Sequence, residues 1–179
     1  MHVPPELRPT LWRICRALSN PTRLKIFELL LNDPNQIVSS VAQKTKLSVS
    51  GACRCLRLLE SRGLLEARRI GRSVQYKIGP VERDSSNRSL ILALRVMFKR
   101  NRRPAPIVYR LVTAFTHPRR IEILRVLKGR ASTLDGLRRD TRMSLRALRR
   151  NLAKLIRSKD SQASPRGLFY RSAVKPTPA

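Results

Sequence analysis

Carboxylates are scarce in this chain of 179 residues: 11 Asp and Glu stand against 39 Lys and Arg, for a net charge of +28. Such a surface repels itself and calls for a polyanion, with nucleic acid first and an anionic membrane second. Aromatic residues are only 4% of the chain, so the cores must be built from Leu, Ile, Val and Ala. Three cysteines, an odd number, do not suggest a disulfide framework and point to a reducing compartment. No long apolar run is present: the stretch from Leu90 to Phe98 is broken by Arg95 and far too short to span a bilayer. The opening MHVPPELRPT lacks an apolar signal core, so a cytoplasmic chain with no membrane partner is expected. Gly-rich phosphate loops, carboxylate pairs and nucleophile–base sets do not stand out, so no catalytic residue and no enzyme is expected.

What is present is a repeat. Residues 11–31, LWRICRALSNPTRLKIFELLL, return 97 positions later as residues 108–128, VYRLVTAFTHPRRIEILRVLK. Six of 21 positions are identical: Arg13/Arg110, Ala17/Ala114, Pro21/Pro118, Arg23/Arg120, Ile26/Ile123 and Leu30/Leu127. A fixed long offset marks a duplicated unit. The charge is uneven between the halves, +9 over residues 1–90 and +19 over residues 91–179.

Local signals predict the elements of the first copy. Leu11 to Leu18 reads as a short helix. Asn20-Pro21 opens a second, because Asn is a good N-cap and Pro suits the first helical position. A third helix spans Ile37 to Lys44. A fourth starts at Ser48 and stops at Gly63. Leu65–Ile70 and Ser73–Ile78 then read as strands around a Gly71-Arg72 turn. Four helices and a hairpin are the order of a winged helix-turn-helix domain.

Ser89 to Asn101 should form a further helix, apolar almost all round and so covered on more than one side. Lys99 to Pro106 reads as a basic, Pro-broken linker. In the second copy Pro118 opens a helix ending at Gly129, Thr133 starts a short one and Ser144 caps the next. The sequence SQASPRGLFYRS after Asp160 suits a reduced hairpin. The expected fold is therefore mainly α with small β-hairpin wings: two tandem winged helix-turn-helix domains joined by an apolar helix. The boundaries are 1–84 for the first domain, 85–106 for the connecting helix and linker, 107–173 for the second domain, and 174–179 for a disordered tail.

The fourth helix carries the candidate chemistry. On a helical wheel centred on Leu56, Val49, Ala52 and Leu59 fall within ~60° of the inner face. Ser50, Gly51, Arg54, Leu58 and Ser61 fall opposite, with Cys55 and Arg57 on the flanks. In the second copy Leu145, Leu148, Leu152 and Leu155 point inward, while Arg146, Arg150, Lys154 and Arg157 point out. A helix fits the major groove, where Arg bonds guanine bidentately and Ser bonds base edges or phosphates. Ser48 and Ser144 sit at helix N-termini, whose free N–H groups favour phosphate. Arg149 extends the cationic face of the second copy, and Arg68, Arg69, Arg72 and Lys77 of the hairpin would follow the adjacent backbone.

Other features read as structural. Cys53 and Cys55 point ~200° apart around a helix and cannot chelate one ion together, so no metal is expected. Oxidation of Cys55 would place bulk at the outer face. Cys15 reads as a small interface residue and His117 as a weak cap in the slot that Asn20 fills in the first copy. Trp12 and Tyr109 match across the repeat and are expected at a domain or dimer seam. No cofactor is expected.

Two segments carry a family resemblance. Ala17-Leu18-Ser19-Asn20-Pro21-Thr22-Arg23-Leu24-Lys25-Ile26 resembles the opening of ArsR-type winged-helix repressors. Leu47-Ser48-Val49-Ser50-Gly51-Ala52-Cys53-Arg54-Cys55-Leu56-Arg57-Leu58-Leu59-Glu60-Ser61-Arg62-Gly63-Leu64-Leu65 resembles their recognition segment, with Cys55 where the family has His. Residues 114–121 and 143–152 match more loosely. The resemblance implies a regulator that binds double-stranded DNA, with Ser48, Ser50, Gly51, Arg54 and Cys55 at recognition positions. Family members pair through the first helix and the helix after the wing. This chain is thus expected to be a monomeric pseudo-dimer, or a homodimer through the first helix and the Leu90–Phe98 helix. The family's Cys-Val-Cys metal motif is absent. The expected function is a sequence-specific transcriptional regulator, a repressor, associated with the nucleoid. The rival is an architectural protein with little sequence preference. Binding to structured RNA fits less well, because the narrow major groove of duplex RNA excludes a recognition helix.

Overall fold

The computed structural model describes residues 10–79, 87–129 and 132–157. Among them the chain is mainly helical, with nine helices and one three-stranded antiparallel sheet. It divides into two compact units, Met1–Thr113 and Ala114–Ala179.

In the first unit the elements run α1 (Leu11–Leu18), α2 (Pro21–Asn32), β1 (Gln36–Ile37), α3 (Val38–Thr45), α4 (Val49–Ser61), β2 (Leu65–Ile70), β3 (Ser73–Ile78) and α5 (Arg88–Arg100). The caps follow the sequence closely. The Asn20 side chain accepts from the Arg23 N–H at 3.0 Å, with Pro21 at the first position of α2. Ser48 Oγ accepts from the Gly51 N–H at 3.1 Å to start α4. At its other end Gly63, at φ +68, donates to Glu60 O, and Leu64 donates to Leu59 O. Those two bonds make a Schellman stop, whose left-handed residue favours glycine.

The core of this unit gathers Ile14 and Leu18 from α1, Ile26 and Phe27 from α2, and Leu56 and Leu59 from α4, all essentially inaccessible to solvent. The sheet order is β1-β3-β2, and the hairpin pairs Leu65 with Ile78 through to Ile70 with Ser73. Both strands and the two-residue turn, with Gly71 at φ +56, fall where the sequence puts them. The strand β1 is new: Gln36 and Ile37 pair with Tyr76 and Gln75. Two residues are too few for a periodic signal, so the sequence shows only the helix that follows.

The connecting segment expected at 85–106 differs from the structure in three ways. Helix α5 buries Ile91 and Leu94 but leaves Leu92 and Val96 41% and 47% exposed, so its apolar surface is not covered on every side. Lys99 and Arg100 form the last turn of α5 rather than a linker. The next helix, α6 (Pro104–Ala114), then begins inside the expected linker. Proline is tolerated there because first-turn N–H groups have no intrahelical acceptor. Only residues 101–103 interrupt the two helices. Helix α5 and all of α6 but its last residue group with the first unit.

The second unit contains α7 (Pro118–Gly129), α8 (Leu134–Thr141) and α9 (Leu145–Arg157). They close on Ile123, Leu137, Leu148 and Leu155. The repeat is visible in fine detail. Lys46 and Arg142 end α3 and α8 in the same left-handed conformation, at φ 58 and 51. Thr45 and Thr141 each return a hydroxyl bond of 2.6 Å to the carbonyl four residues back. These pairs are 96 residues apart rather than 97, so the second copy is one residue shorter between its second and third helices. The expected second hairpin and the tail lie outside the described residues.

Candidate nucleic-acid interface

The outer face of α4 begins with its cap. Ser48 is exposed, and its hydroxyl lies 3.2 Å from that of Ser50, also exposed. Gly51 is half-buried, and a Cβ there would stand 3.1 Å from Ser48 Oγ, tight enough to press on the cap. Arg54 and Arg57 project into solvent, and no ion pair among the described residues engages either. Cys55 is half-buried. Its counterpart in the shorter-spaced repeat is Asn151, which is buried and donates to Ala147 O at 2.8 Å. That position therefore turns toward the body of the unit in both copies, which leaves Cys55 less available than Arg54 or Arg57.

On the hairpin, Arg68, Arg69 and Arg72 are exposed. Arg69 Nε reaches Gly71 O at 3.4 Å. Lys77 is exposed too but stands 3.4 Å from Glu66 on the opposite strand, so part of its charge is answered locally.

Helix α9 presents a stronger version of the α4 face. Ser144 Oγ accepts from the Ala147 N–H at 3.3 Å. Arg146, Arg149, Arg150 and Lys154 are exposed, while Ala147, Leu148, Leu152 and Leu155 are buried. Arg157 is the last residue of α9, and its side chain lies outside the described set. The field of this face reaches the start of α7. His117 is exposed, and partial desolvation, then Arg120, Arg119, Arg150 and Lys154, push its pKa below the ordinary value. His117 Nδ1 also accepts from the Arg119 N–H at 3.2 Å, so the imidazole has a local capping bond at this helix start.

Two residues expected inside are outside. Val49 and Leu145, each the first residue of its helix, are 59% and 36% exposed. A side chain at that position stands beyond the first turn, where the spine beneath it has not yet begun. The helical wheel assigns a direction and takes no account of this missing neighbour. Both copies thus open with a capping serine followed by an exposed apolar side chain.

The arginines that the repeat preserves have another use. Arg23 Nε donates to Ala17 O at 2.5 Å, tying the end of α1 to α2. Arg120 is buried and donates to Thr116 Oγ1 at 2.5 Å. Burial lowers both guanidinium pKa values from the ordinary arginine value. Cys15 is buried and its thiol is pushed up to about 12. Among the described residues no three His, Cys, Asp or Glu side chains converge on a metal-sized space. No described helix is long and apolar enough to cross a membrane.

No family model matches the chain, and no curated protein matches it.

Proposed function

We propose that this chain binds double-stranded DNA as a transcriptional regulator, a repressor built from two copies of an ArsR-like winged-helix unit. The observation that carries the reading is the matched outer face of α4 and α9. Each is a serine-capped helix with a buried spine and an exposed row of cations, none of which makes an ion pair among the described residues. In this reading each helix enters a major groove. Arg54 and Ser50 read base edges, and Val49 and Leu145 meet thymine methyl groups. Arg146, Arg149, Arg150 and Lys154 hold phosphates, and Arg68, Arg69 and Arg72 follow the flanking backbone. Phosphate contacts position a protein without reading sequence. The first copy is accordingly the selective reader and the second the stronger anchor. The order of α2, β1, α3, α4 and the hairpin supports the winged-helix assignment of the first unit. For the second unit, support comes from α7, α8 and α9.

The arginine-rich face of α9 favours one rival, an architectural protein that coats DNA. The small, polar Ser50-Gly51 approach on α4 favours sequence reading. Selection from a random duplex-DNA pool at ~150 mM salt separates them, because that salt weakens the phosphate-driven background. An enriched, asymmetric motif is the expected result, since the two outer faces differ. Tight, salt-sensitive binding without enrichment would leave only the architectural reading, and no binding at all would end both.

A further inference from the structure

A second concentration of arginine lies away from the first turns of α4. A cleft of about 290 Å³ in the first unit is walled by Trp12, Arg13, Arg16, Arg23, Leu58 and Arg62. Four guanidiniums share it with no carboxylate, and none of them is in an ion pair among the described residues. Gathering like charges in so small a space is unfavourable unless an anion enters. Arg23 is pinned there by its bond to Ala17 O, so one donor is held in advance. Arg13 lies 5.3 Å from the centroid of the Trp12 ring. The repeat keeps an arginine at Arg110 and an aromatic at Tyr109 but has Thr113 where Arg16 stands, so the full set belongs to the first unit.

We propose that this cleft binds a nucleotide, with the base against Trp12 and Leu58 and the phosphates among Arg13, Arg16 and Arg62. Guanidinium forks match phosphate oxygens bidentately. Indole faces stack on any base. A volume near the small end of ligand sites suits a mononucleotide better than a larger cofactor. Leu58 lies in α4 and Arg62 caps its end, so an occupied cleft is coupled to the helix proposed to read DNA.

Trp12 is the only tryptophan in the chain, so its emission reports this cleft and no other site. The test is a titration of the full chain with ATP and GTP at ~300 mM salt, where diffuse phosphate attraction is screened. Inorganic tripolyphosphate serves as a competitor without a base. A saturable change in emission is expected, reversed by tripolyphosphate, and weakened about tenfold or more in Arg16→Ala and Arg62→Ala. Arg103→Ala removes an exposed arginine elsewhere and should leave binding unchanged. No saturable change, or an equal loss in Arg103→Ala, would overturn the proposal. So would a loss of duplex-DNA affinity in Arg16→Ala and Arg62→Ala equal to their loss of nucleotide affinity, because the arginines would then serve the DNA backbone. The nucleotide titration needs no DNA, so it stands or falls apart from the regulator reading.

Discussion

Single residues in the first unit do work that their types alone do not announce. Gly63 holds a positive φ, and a Cβ on it would run into Asn87, whose Nδ2 donates to Arg62 O at 2.8 Å. Gly71 holds a similar φ with nothing within 4 Å. Gly71→Ala should therefore cost only the backbone strain, ~1 kcal/mol, while Gly63→Ala adds the clash and should cost about 2 kcal/mol or more. Urea denaturation of the two variants measures the difference, and equal losses would mean that Asn87 yields easily. The cysteines allow a second test. A buried thiol with a pKa near 12 is almost never the reactive thiolate, whereas Cys53 and Cys55 are half-buried. In the folded protein two thiols should react with a soluble disulfide reagent, and the third, Cys15, only on unfolding. Rapid modification of all three would contradict the packing of α1.

At the scale of the element, α4 and α9 are the same device with different faces. If α4 reads and α9 anchors, their arginines should fail differently. Arg150→Ala should weaken binding to all sequences alike and lower the salt slope by about one. Arg54→Ala should cost about 1–3 kcal/mol on the preferred site and relax the base preference at one position. Affinities measured on selected and scrambled duplexes at several salt concentrations separate the two. Identical behaviour of both variants would remove the distinction between reader and anchor. Helix α5 differs in kind, since it keeps Leu92 and Val96 in solvent while burying Ile91 and Leu94. A homodimer through α5 would cover that exposed side.

At the scale of the whole molecule, charge dominates. With +28 to accommodate, acid adds more positive charge to a chain already short of carboxylates. His117 shows the sign. Its folded pKa lies below 6.5, so the unfolded chain takes up the proton first as pH falls. Its share of stability is present above that value and is lost as pH falls through the lowered folded value. The imidazole is exposed, so the effect is small and screened by salt. Melting temperature should fall from pH 7 toward pH 5 at low salt, and His117→Asn should flatten part of that fall while keeping a capping side chain. A pH profile unchanged by the substitution would show that neither partial desolvation nor the cations around His117 shift its titration.

Sequence alone determined whatever is decided within a turn or a tight hairpin. Asn20-Pro21, Ser48 and Ser144 set helix starts, Gly63 set a stop, and Gly71-Arg72 set the register of β2 and β3. Each acts within five positions of the chain, through bonds that the local chain makes with itself. The alternation of leucine and arginine along α9 likewise placed a cationic face over a buried spine. Tertiary structure decided the rest. The strand β1 exists because β3 is there to pair with it. Asn151 is buried because α9 rolls that position toward its neighbours, and Val49 and Leu145 are exposed because none of the described residues covers the first turn. Arg62 is far from Arg13 and Arg23 in the chain and joins them in one cleft only when α1, α2 and α4 pack. Short-range hydrogen bonding is written in adjacent residues, whereas a shared cavity depends on distances that only the closed core establishes.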